Sequence, residues 1–159
     1  MKQNNLEKIS NKLVTAFLKN KLIKAIPNKY TKKIKEAQKL RKLCESKIKL
    51  PVIGFKAAGT GIPLIKKLRE KEPFYATVYE RNFLSSGKSV KINKATLGIE
   101  LEVCYKIKKS FFLSKGVITM ENISKYISHM APCIEWLVID KEKKELLLLV
   151  TYVVILVQM

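Results

Sequence analysis

The segment Leu97 to Ile107, LGIELEVCYKI, restricts this chain more than any other, because its residues sort cleanly only if it runs as a β-strand. Side chains alternate along a strand, so Ile99, Leu101, Val103, Tyr105 and Ile107 share one face while Glu100, Glu102, Cys104 and Lys106 share the other. Glu100 and Glu102 then sit side by side, roughly 6 to 7 Å apart, and repel when both are ionised. A cation or solvent relieves that cost. With a third carboxylate nearby the pair would make an all-oxygen site of the kind that suits Mg²⁺ or Mn²⁺. Without one, the pattern describes an edge strand with a wet, charged face.

A chain of 159 residues with 47% hydrophobic content is long enough for one domain with a core. Its formal charge of +19 would ordinarily point to nucleic acid or an anionic membrane surface. However, only Arg41, Arg69 and Arg81 are arginines, and the lysines are scattered among Ile, Asn and Leu. Bidentate phosphate or base readout favours arginine, so no specific nucleic-acid partner is expected. Cys44, Cys104 and Cys133 lack CxxC spacing and are odd in number, which argues against a disulfide framework or a zinc site and fits a reducing compartment. The first residues, MKQNNLEKIS, have no apolar core followed by a small-residue cleavage site, so a cytoplasmic location is expected.

Apolar residues at Leu6, Ile9, Leu13, Phe17, Leu22, Ile23 and Ile26 predict a helix over Leu6 to Ile26, broken near Asn20 and ended by Pro27. A second helix is predicted from Thr31, as N-cap, to Ser46, with Ile34, Ala37, Leu40, Arg41 and Cys44 on one stripe. Lys49 to Lys56 reads as a short strand entering the Gly-rich turn AAGTG, followed by a helical stretch Ile62 to Lys71. The turn lacks the GxxxxGK[ST] and GxGxxG spacings and is better suited to close approach of a substrate to the backbone than to a nucleotide. Phe74 to Tyr79 reads as a strand, Phe83 to Lys88 as a turn, and Ser89 to Ile92 as another strand. Beyond the Glu-x-Glu strand come a loop over Lys108 to Ser114, a helix with Thr119 as N-cap running through Ile127, and a strand holding Glu135. His129, the only histidine, falls at the end of that helix as a capping or surface residue.

Four segments fall in the order and approximate spacing of one family: GFKAAGT at Gly54 to Thr60, EPFY at Glu72 to Tyr75, ELE at Glu100 to Glu102, and PCIE at Pro132 to Glu135. From about Asn28 to Glu135 the chain resembles the 2-keto-4-pentenoate hydratases of the fumarylacetoacetate hydrolase superfamily. The departures are Ala76 for the usual Gly, Cys133 for the usual Ala, and everything after Glu135. The resemblance implies an α+β fold, a fumarylacetoacetase-like mixed β-roll with an N-terminal helical region over residues 1–48 and a partial catalytic domain over residues 49–135. It implies a hydro-lyase using Mg²⁺ or Mn²⁺ that adds water to a small 2-hydroxy-2,4-dienoate or its 2-oxo tautomer, in the breakdown of aromatic-ring fragments. By the same resemblance Glu100, Glu102 and Glu135 hold the metal, Lys56 is the catalytic residue, and a full-length relative forms a homo-oligomer. A sister 2-oxo-acid decarboxylase uses a similar site.

The other class of function is a basic module binding RNA or anionic lipid, supported by the charge and by LLLLVTYVVILV at Leu146 to Val157. That apolar run is well short of the roughly 20 residues that span a bilayer, so no membrane span is expected. Residues 136–159 are expected to be a frameshifted tail on a truncated, inactive member of the family. Reading them back through permitted codons in the third-base frame gives a peptide with an early arginine and an Asp-x-Gly-Ala-Asn ending, as the family's next segment would have.

Overall fold

In a computed structural model of the chain, residues 2–21, 26–30, 33–69, 73–89, 96–114, 116–138 and 152–155 are described. The N-terminal layer is a pair of helices, α1 (Lys2–Leu18) and α2 (Ile34–Lys47). Helix α1 ends where the break was expected. Asn20 adopts φ 50, a left-handed conformation that Asn tolerates, while the Asn20 and Lys21 amides donate to the carbonyls of Phe17 and Ala16. The predicted continuation over residues 22–25 and the predicted cap at Thr31 lie outside the described residues. Helix α2 begins after Lys33, which makes no side-chain cap, and draws local support from Glu36 with Lys39 and Arg41 with Glu45. Val14 and Ala16 of α1 and Leu40 of α2 are buried. Lys47 ties them together, pairing with Glu7 and donating to Ser10 Oγ (2.6 Å) and Asn11 Oδ1 (2.7 Å).

The next unit is an antiparallel pair, β1 (Val52–Ala58) and β2 (Phe74–Tyr79), with Lys56 opposite Ala76. Strand β2 has the predicted bounds. Strand β1 starts later than expected and runs on through Ala57 and Ala58, because both pair with β2 before Gly59 turns the chain at φ +68. Helix α3 (Ile62–Leu68) stops short of Lys71, with Arg69 left-handed at its C-cap. Glu45 of α2 accepts from the Thr77 hydroxyl (2.7 Å), and Arg41 lies over the Tyr75 ring, so the helical layer docks on β2. Phe17 packs against the buried Tyr79.

The second sheet has the order β3-β6-β5-β4, built from β3 (Phe83–Leu84), β4 (Thr96–Ile107), β5 (Ile127–Val138) and β6 (Tyr152–Ile155). Strands β4, β5 and β6 run antiparallel in sequence of position, and β3 pairs parallel with β6, so the architecture is mixed α+β. Three expectations are corrected here. Phe83 and Leu84 are strand rather than turn, since their backbone pairs with Val153 and Val154. Lys108 to Ser114 is not a plain loop but holds one helical turn, α4 (Lys109–Leu113). The helix expected from Thr119 shrinks to a single 3-10 turn at Ile123–Tyr126, because Ile127, His129 and Met130 pair with Ile107, Lys106 and Tyr105 and extend β5 to match the length of β4. Of the strand predicted at Ser89 to Ile92, Ser89 is in no strand and the rest lies outside the described residues. Of the predicted tail, Trp136 to Val138 complete β5 and Tyr152 to Ile155 form β6, while residues 139–151 and 156–159 lie outside the described residues.

Candidate metal centre

Antiparallel pairing sets Glu100 opposite Glu135 and Glu102 opposite Cys133, so alternation on both strands carries all three carboxylates to one face. One carboxylate oxygen from each of Glu100, Glu102 and Glu135 lies within 4.8 Å of the others. Strand β1, in the other sheet, delivers Lys56, whose ammonium pairs with Glu135 and lies 3.8 Å from Glu102. The four residues singled out from the sequence are therefore brought together, from three strands.

Their environments differ. Glu135 is 1% exposed, whereas Glu100 and Glu102 are exposed. Lys56 pairs with Oε2 of Glu135, and Oε1 has no hydrogen-bond partner among the described residues. A buried carboxylate without donors is costly unless a cation compensates it. One ammonium against three carboxylates leaves the cluster with excess negative charge, and a small divalent cation with oxygen preference matches both the charge and the donor set. Lys56 occupies Oε2 of Glu135, which leaves Oε1 as the buried oxygen without a partner among the described residues.

The sequence reading put Cys104 on the face of Glu100 and Glu102 but did not bring Cys133 beside it. Cys104 follows Glu102 by two residues and Cys133 precedes Glu135 by two, so the same alternation carries both onto the acidic face. That spacing was the available signal. Cys133 is buried, Cys104 is half-buried, and their Sγ atoms lie 2.8 Å apart. Burial, the contact with Cys104 and the charge of Glu102 push the Cys133 thiol up to about 12. His129 shares this face, but it pairs opposite Lys106 near the far end of β5, roughly 20 Å along the strand from Glu135. It is exposed and contacts the Ser128 hydroxyl (3.1 Å), which places it on the surface rather than in the cluster. Among the described residues no helix is long and apolar enough to cross a membrane. Comparison with known protein families and with curated proteins gives no match for this chain.

Proposed function

We propose that the carboxylate cluster is the metal site of a hydro-lyase acting on a 2-hydroxy-2,4-dienoate or its 2-oxo tautomer, on a fumarylacetoacetase-like β-roll. The observation that carries this reading is the convergence of Glu100, Glu102 and Glu135 with Lys56 at one point, in the roles that the resemblance of the sequence to the 2-keto-4-pentenoate hydratases assigns them. Glu100, Glu102 and Glu135 would hold Mg²⁺ or Mn²⁺, which when bound would supply charge stabilisation to the enolate form of a 2-oxo acid. Glu135, at the buried end, fixes the depth of the site. Glu100 and Glu102, exposed, leave its outer side open to a substrate. Lys56 supplies a positive charge for the substrate carboxylate and a proton donor or acceptor for ketonisation, before water adds to the conjugated double bond.

The test is calorimetric titration of Mn²⁺ into the full chain. Glu102→Gln removes a ligand without changing size and should weaken binding at least tenfold, whereas Glu80→Gln, on the exposed turn after β2, should leave it unchanged. Equal affinity in the two variants removes the metal site. With metal binding established, product analysis on a 2-oxo-enoate separates hydration from decarboxylation, which the same ligand set serves. Lys56→Ala should then lower turnover more than it lowers Mn²⁺ affinity.

A further inference from the structure

The two thiols beside the carboxylates have no role in that reading, and their placement is specific. Cys104 stands opposite Ala131 and Cys133 opposite Glu102, so the pair lies on the diagonal of two adjacent β4–β5 positions, on the face that Lys56 of β1 reaches. The Sγ atoms are 2.8 Å apart, well inside an ordinary non-bonded sulfur contact and short of the roughly 2.05 Å of a disulfide. The third cysteine, Cys44, is elsewhere, on α2 with its thiol turned to the Ser10 carbonyl.

We propose that Cys104 and Cys133 form a reversible disulfide site, closed by a peroxide and reopened by a small thiol. Cys104 is the more exposed sulfur and meets the oxidant first. Its sulfur attacks the peroxide oxygen, the O–O bond breaks, and Cys104 becomes a sulfenic acid as water or an alcohol leaves. The sulfur of Cys133 then attacks that of Cys104. The S–S bond forms, the S–O bond breaks, and the hydroxyl leaves as water with the Cys133 proton. Overall two thiols lose two electrons and two protons, and one peroxide is reduced to two molecules of water, or of water and alcohol. A small thiol reverses this by exchange, its own disulfide being the product. The crosslink pins β4 to β5 directly beside Glu102 and Glu135, where the strands' relative position sets the spacing of the carboxylates. The chemistry is independent of whether those carboxylates hold an ion.

The experiment treats the full chain, dilute and without metal, with one equivalent of hydrogen peroxide, then alkylates it under denaturing conditions and maps its peptides without reduction. The expected result is a crosslinked peptide joining Cys104 to Cys133, 2 Da lighter than its two thiol parts. Cys44 should be recovered alkylated, and dithiothreitol should restore all three thiols. Cys104→Ser should give no crosslink and an intact Cys133. The oxidised wild type should also melt above its reduced form, a shift absent from Cys133→Ala. Recovery of Cys104 as sulfinic acid with Cys133 still alkylatable would overturn the assignment, as would a disulfide to Cys44 or a crosslink between chains.

Discussion

Glu135 holds a carboxylate where solvent scarcely reaches, and its partner Lys56 comes from a different sheet. This makes Lys56 a structural residue as well as a candidate catalytic one. Lys56→Met keeps the aliphatic stem and deletes the charge, leaving Glu135 buried and unpaired, so it should cost about 3–5 kcal/mol in urea unfolding without metal. Adding Glu135→Gln removes the orphaned charge and should recover most of that loss, a coupling that a double-mutant cycle measures directly. Independent effects of the two substitutions would mean that the buried pair does not hold the sheets together. Cys44 offers a second check on burial. Packing against α1 raises its thiol from 9.0 to about 11, so the folded chain keeps the proton over a range in which the unfolded chain has lost it. Its contribution is fully present below pH 9 and is lost as pH rises from 9 towards 11. Stability of Cys44→Ala should accordingly fall less steeply over that interval than stability of the wild type, in denaturant unfolding measured at several pH values.

The elements that were legible in the sequence are those whose pattern matches their surroundings. Strand β2 was readable from FYATVY because β-branched and aromatic residues suit a paired strand, and the strand over Leu97 to Ile107 was readable because Glu and apolar residues alternate without interruption. The convergence of Glu100, Glu102, Glu135 and Lys56 rested on family resemblance. Alternation alone gave the side on which each glutamate lies but not the register that sets Glu100 opposite Glu135. What was not legible depended on tertiary pairing. Ile127 to Met130 looked like the end of a helix and became strand because β4 supplied partners for them, and Phe83 to Leu84 became strand only through β6, which is distant in sequence. Gly59 tests one legible element. Its φ of +68 closes the turn after β1, and a Cβ there would come within 2.9 Å of the Phe74 ring. Gly59→Ala should therefore destabilise the chain by about 1–3 kcal/mol, from both backbone strain and the displaced ring, as read from its urea midpoint. Gly87→Ala supplies the comparison, since its φ of +80 carries the backbone cost with open space around the Cβ. Equal losses in the two variants would mean that Phe74 yields freely.

At the scale of the molecule, the second sheet leaves an apolar strip of β4 in solvent. One face buries Glu135 and Cys133 although Glu100 and Glu102 on it stay exposed, while the opposite face presents Ile99, Leu101, Val103, Tyr105 and Ile107 on β4 beside Met130 on β5 to solvent. Leu101 is 80% exposed and Met130 66%. Among the described residues no charged side chain interrupts this strip, because Glu100, Glu102 and Lys106 all point the other way. Its apolar area, on the order of several hundred Å², matches the patches through which proteins associate. Among the described residues β4 is also the outer strand of its sheet, with an open hydrogen-bonding edge along its length. The net charge of +19 opposes association and is screened over about 10 Å at 0.1 M salt. Two terms of opposite salt dependence therefore compete. Light scattering at a fixed micromolar concentration should show the chain smaller at low ionic strength and increasingly associated as sodium chloride rises. Leu101→Lys combined with Val103→Lys places two charges in the middle of the strip on a face that is already exposed, so it should suppress association at every salt concentration while barely changing the unfolding midpoint. Lys106→Gln, on the opposite face, should leave the salt dependence nearly as it was. If the doubly substituted chain associates as the wild type does, the strip is not the surface responsible, and the charge term rather than the apolar face governs the behaviour of this protein in solution.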